Sequence, residues 1–192
     1  MRLRILAVSV VATWLSASIG SASVIINFAQ VGNNVTAIGS GTLDTSSLSI
    51  VGTNGAQDEL SAASGQYQGG TTGGQTDGYS GISGPGDFGP GNGQNNFPTS
   101  SSGDYFGLTA YNGRLFVPGG YVSGSPLSNT ATWENTTYAF LGLSPGSYVY
   151  TWGTGPSADS LTVNVVVPEP SAAILCLCGM IFVVLCSRGR VA

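Results

Sequence analysis

The sequence predicts an all-β fold: an antiparallel β-sandwich or jelly-roll-like ectodomain, with an N-terminal signal peptide before it and a single C-terminal transmembrane helix after it. Three observations predict the β domain. Between residues 24 and 167 no helical periodicity persists beyond a turn or two, short β-branched and aromatic runs are punctuated by Gly, Pro, Asn and Ser, and the last run alternates apolar with polar residues.

Taken in order, 24–29 is a short apolar strand, and 34–41 and 42–51 are its hairpin-like successors. Residues 61–103 break the pattern with 13 Gly and 3 Pro in 43 positions. They read either as a long Gly-rich loop or insert with few large apolar anchors beyond Ile82, Phe88 and Phe97, or as an ordered segment in which Tyr79 to Gly89 space aromatic and Ile residues as a loop packed over a sheet edge would. Strands follow at 105–110 and 115–117. The stretch 130–141 is β-rich, Pro145-Gly146 suits a type II turn, and 148–152 reads as the returning strand of a hairpin. Finally Leu161, Val163, Val165 and Val167 alternate against Thr162 and Asn164, the period of a half-buried strand.

Composition removes much chemistry from this domain. The chain of 192 residues has no His, its five cations are all Arg, and only 7% of residues are charged. Imidazole bases, imidazole zinc ligands, Schiff-base lysines and P-loop lysines are therefore absent, and no enzymatic activity is expected. Arg114 stands alone against eight carboxylates between residues 24 and 167, a net charge of −7 that gives nucleic acid no electrostatic footprint. All three Cys lie at 176–186, which leaves the domain without disulfide or thiolate.

The two ends differ from the middle. Arg2 and Arg4 precede an apolar run, and small residues follow it up to Ser23. This is the pattern of a signal peptide over 1–23, removed by signal peptidase after Ala22 or Ser23. Near the other end, 15 residues from Ala172 to Cys186 carry no polar side chain larger than a thiol. As a helix over 172–187 they would span about 23 Å, a short membrane crossing, with Arg188 and Arg190 of the basic tail 188–192 holding the cytoplasmic side.

Directly before that segment stand Pro168, Glu169, Pro170 and Ser171. Pro-Glu-Pro, a short apolar helix and an Arg-rich end, in that order over 168–192, resemble the PEP-CTERM sorting signal. The resemblance implies an exosortase as partner, a membrane protease-transpeptidase of Gram-negative bacteria, and a chain transiently anchored in the inner membrane before it reaches the cell surface or the exterior. Independently of the resemblance, two prolines without backbone donors keep Glu169 out of sheet and helix. The runs 106–124 and 143–163 resemble the ectodomain commonly attached to this signal, which carries no established activity.

The expected role is structural or adhesive, in exopolysaccharide or biofilm. The alternative is a carbohydrate-binding module with Trp133, Tyr148, Tyr150 and Trp152 as a stacking platform; the same stripe equally suits a core. A carbohydrate-active enzyme is a further alternative, but the scattered acids define no pair. No cofactor is expected. Calcium would suit loop carboxylates and carbonyls, yet no D-x-D-x-D-G loop occurs. Gly84 to Gly89 spells G-x-G-x-x-G among more Gly and Pro, without the strand and helix that dinucleotide binding needs.

Overall fold

The computed structural model of the protein describes residues 23–167. The expected signal peptide, the motif Pro168-Glu169-Pro170, the apolar helix 172–187 and the tail bearing Arg188 and Arg190 lie outside the described residues. Among the described residues, no helix is long and apolar enough to cross a membrane.

The described residues form twelve strands: β1 Ser23–Val31, β2 Asn34–Thr42, β3 Ser49–Gly55, β4 Glu59–Ser61, β5 Gln66–Gly69, β6 Gln75–Ser80, β7 Ser100–Gly103, β8 Phe106–Thr109, β9 Arg114–Pro118, β10 Pro126–Trp133, β11 Gly146–Trp152 and β12 Asp159–Val165. They divide into two six-stranded sheets, one in the order β11-β12-β1-β2-β10-β7 and the other β3-β6-β9-β8-β5-β4. Among the described residues the one α-helical turn, α1 Tyr138–Leu141, is capped by the Thr137 hydroxyl, which accepts from Phe140 N at 3.2 Å. Pairing is antiparallel throughout except between β1 and β12, which run parallel.

Alternation explains which faces meet. Along β1, Val24, Ile26 and Phe28 are buried while Ile25 and Asn27 are exposed, and along β12 Leu161, Val163 and Val165 point the same way. The second sheet answers with Leu60, Tyr67, Phe106, Leu108, Leu115 and Val117, all fully buried in the same core. Phe28 meets Tyr67 edge-on at 5.3 Å across the layers. One polar side chain crosses with them. Asn129 of β10 donates from Nδ2 to the carbonyls of Gly69 at 2.7 Å and Phe106 at 3.2 Å, and its Oδ1 accepts from the Tyr67 hydroxyl at 3.2 Å.

Four expectations change. Residues 61–103 are not one long loop: they contribute β5, β6, β7 and the end of β4, and their longest stretch without a named strand, 81–99 between β6 and β7, is an ordered loop with Ile82 and Phe88 buried and Ser83 bridged to Thr151 of β11. Glycine permits this close packing, as at Gly70, where φ is +124° and a Cβ would lie 2.2 Å from the Asp104 carbonyl oxygen. Phe97, expected as an anchor, is 57% exposed. The expected hairpin of 130–141 with 148–152 does not form, because α1 and the left-handed Gly142 carry the chain to the far edge of the sheet; there β11 pairs with β12, three strands away from β10. Residues 42–51 are likewise not one strand. β2 ends at Thr42, the chain crosses between sheets with Leu43 buried, and β3 begins at Ser49.

Candidate functional site

The four aromatics of the expected platform are not presented to solvent as one. Trp133 lies on β10 and the other three on β11, and Trp133, Tyr150 and Trp152 are all under 5% exposed. Trp133 stacks on Phe28 at 6.1 Å and donates from Nε1 to the Asn96 carbonyl at 3.2 Å; Trp152 donates from Nε1 to the Asp44 carbonyl at 2.7 Å. Tyr148 is half-buried, with its ring edge-on to Phe88 and its hydroxyl donating to the Ser144 and Phe88 carbonyls. Period-2 spacing groups these rings on one face but does not say which face meets water. With few large aliphatics available, the aromatic face supplies the core.

Recognition chemistry is gathered instead on the outer face and flank of the second sheet. Register aligns Glu59 with Gln68, Gln68 with Gly107 and Gly107 with Phe116 in one row, and Gln66, Thr109 and Arg114 in the next. Tyr111, 68% exposed, stands beside them on the short 3₁₀ turn Ala110–Asn112. The result is an open depression of about 270 Å³ floored by amides, a hydroxyl and an aromatic ring, with Glu59 and Arg114 at its sides. Gln66 donates to Glu59 Oε1, and Asn95 donates to Glu59 Oε2 at 2.8 Å. Burial nevertheless raises the Glu59 pKa above its ordinary value, with those two hydrogen bonds opposing.

A second depression of about 550 Å³ lies on the flank where β4 and β7, each at the edge of its own sheet, come alongside one another. Residues 56–58, 72–73 and 97–101 line it, and Gln57 lines both depressions. The flank is held by a bridge between Leu60 and Asn96, whose backbone groups exchange hydrogen bonds of 2.8 and 3.0 Å. Phe97 follows directly, and its ring is left outside the core. Asp58, only 7% exposed, receives the Ser101 hydroxyl on Oδ2, while its Oδ1 is buried with no partner. Ser101 also reaches the Gly70 carbonyl at 2.8 Å, so its single proton is shared between two acceptors. Burial raises the Asp58 pKa, and the Ser101 contact opposes that shift. Tyr105 backs the same corner, with its hydroxyl bonded to Gln57 and Gln68 and its pKa pushed up to about 12, chiefly by burial.

Asp58 and Glu59 are neighbours in the chain but line different depressions, so they do not converge on one bond in the way a glycosidase pair does. Among the described residues, no three His, Cys, Asp or Glu gather as a metal centre. Sequence reasoning missed Asp58, Ser101, Phe97, Tyr111 and Phe116 as site residues. Phe97 and Tyr111 sit outside any alternating run, so periodicity assigns neither ring to a face. Comparison with protein-family models, curated proteins and solved structures finds no match.

Proposed function

We propose that this is an exported bacterial surface or extracellular-matrix protein, a β-sandwich delivered by a removable C-terminal sorting signal, with a structural or adhesive role in exopolysaccharide. Signal peptidase removes the leader. An exosortase then acts near Pro168, Glu169 and Pro170 while the apolar helix holds the chain in the inner membrane of a Gram-negative cell. The observation that carries this reading is the ordered set of Pro-Glu-Pro, apolar segment and Arg188 with Arg190 in a chain that also opens with a signal-peptide pattern.

The geometry of the domain supports it. β1 begins at Ser23, so cleavage after Ala22 leaves the mature chain starting on its first strand. Because β1 and β12 run parallel from Ser23 beside Ser160 to Phe28 beside Val165, the two connections leave opposite ends of the sheet, about 17 Å of strand apart. Among the described residues, the bond nearest the sorting motif is Val166 N to the Phe28 carbonyl at 3.1 Å, two residues before Pro168.

The test is the mature C-terminus, read by mass spectrometry in the native host and in a strain lacking its exosortase. Ends at 168–170 in the first and at Ala192 in the second are expected. Retention of Ala192 in both strains makes the helix a permanent anchor and overturns the sorting reading.

A further inference from the structure

We propose that the flank cleft and the adjoining sheet face form one binding strip for a neutral, polyhydroxylated chain, a glycan, with Phe97 and Tyr111 as stacking surfaces and Asp58 as a hydrogen-bond acceptor between them and the protein interior. The proposal rests on the matrix reading above and deepens it by naming what the domain holds.

Three independent observations point to this ligand. First, Phe97 and Tyr111 are 57% and 68% exposed, and each borders a depression rich in amides and hydroxyls, with Asp58 in the wall of the first and Glu59, Arg114 and Phe116 in that of the second. An aromatic ring amid such groups offers its face to the C–H side of a sugar while its neighbours meet the hydroxyls, which is the mixed lining of small-ligand sites. Second, Asp58 Oδ1 has no donor within the protein although the residue is more than nine-tenths buried. Buried polar atoms are nearly always paired, and with Oδ2 already taken by Ser101 the vacant acceptor is Oδ1, which a ligand hydroxyl entering beside Ser101 would supply with a donor. Third, the domain sets one arginine against eight carboxylates, and where that Arg114 lines the strip Glu59 lines it too, so the net negative field repels uronates, sulfated sugars and phosphates and leaves neutral chains as the matching class. Gln57 joins the two depressions, so a chain crossing it touches both rings.

The test is affinity electrophoresis of the exported protein through gels containing dextran, galactomannan, hydroxyethylcellulose or alginate, with Phe97→Ala, Tyr111→Ala and Phe140→Ala variants. Phe140 is 61% exposed on α1 and lines neither depression, so it controls for loss of a surface ring. Retardation by at least one neutral polymer is expected, weakened about tenfold by Phe97→Ala and by Tyr111→Ala, unchanged by Phe140→Ala, and absent with alginate. Unchanged melting temperatures in all three variants establish that binding and not folding is being read. The proposal is overturned by alginate binding as tight as neutral binding, by no neutral polymer retarding the protein, or by equal retardation of wild type and both groove variants. Those outcomes leave the sorting reading standing, because the mature C-terminus is measured separately; an unprocessed C-terminus with intact neutral-glycan binding fails the sorting reading alone.

Discussion

Replacing Asn129 by alanine tests how the two sheets are joined. The side chain is 3% exposed and makes three hydrogen bonds across the interlayer space, to Gly69, Phe106 and Tyr67. Each such bond contributes about 1 kcal/mol net, and each partner left buried without water costs about 1–3 kcal/mol. Asn129→Ala is therefore expected to lose about 3 kcal/mol or more, which lowers the melting temperature by roughly 6–12 °C for a domain of this size. A second substitution makes the argument sharper. Tyr67 is fully buried and its hydroxyl has Asn129 as its hydrogen-bond partner. Tyr67→Phe costs about 1 kcal/mol in the wild type, but in the Asn129→Ala background it removes an orphaned hydroxyl and stabilises by a similar amount. Urea unfolding of the four proteins, read by near-UV circular dichroism and tryptophan fluorescence, gives both values. If Tyr67→Phe costs the same in the two backgrounds, the hydrogen bond across the layers does not hold them together and the reasoning fails.

Three further outcomes follow from the same packing. Gly107→Ala places a Cβ 1.9 Å from the Tyr67 carbonyl oxygen, so β5 and β8 must part; expression without a cooperative melt is expected, and a melting temperature within 2 °C of wild type refutes it. Trp133→Ala empties a core site stacked on Phe28 and is expected to cost about 3–5 kcal/mol by denaturant titration, whereas a platform residue would leave stability unchanged. Asp58→Asn is expected to raise stability at pH 7 and to lose that advantage on acidification. The folded state raises this carboxyl pKa above its ordinary 3.8, so wild-type stability declines as pH climbs from 3.8 through the raised value, and the amide escapes that decline. Melts at pH 3, 5 and 7 check it; an advantage constant across the range contradicts the burial of a charge at Asp58.

Much of the first sheet was legible from sequence because its strands alternate. β1 and β12 show their buried and exposed residues at every second position, and β11 falls where an aromatic run predicts it, as do β8 and β9 of the second sheet. The strands within residues 61–103 were harder. β5 reads Gln-Tyr-Gln-Gly and β7 reads Ser-Ser-Ser-Gly, and neither declares a face until its neighbours are in place. Pairing partners failed for another reason: turn chemistry at Pro145-Gly146 is local, whereas the choice of β12 over β10 as partner of β11 is made by side chains far apart in the chain. The aromatic stripe on β11 was seen correctly as one face. Its direction was not, because composition of the whole core decides it. Phe97 and Tyr111 gave no periodic signal at all, so only the folded surface identifies them.

The parallel pairing of β1 with β12 makes the last strand indispensable to the first. Without β12, β1 becomes an edge whose Val24, Ile26 and Phe28 lose the company of Leu161, Val163 and Val165, and β11 loses the strand it pairs with. Each of the three β12 side chains removed forfeits about 1.5–3 kcal/mol of apolar burial, a sum comparable with the whole stability of an ordinary domain. A chain stopped after Ala158 is therefore expected to be digested rapidly by thermolysin and to show no cooperative melt, while one stopped after Val167 resists and melts as the full domain does. Since the closing strand is also the last described strand before Pro168, the sheet is completed only once the chain has been made through Val165, and Pro168-Glu169-Pro170 is the segment that follows. Protease resistance in the chain ending at Ala158 would show instead that the sheet closes without its final strand.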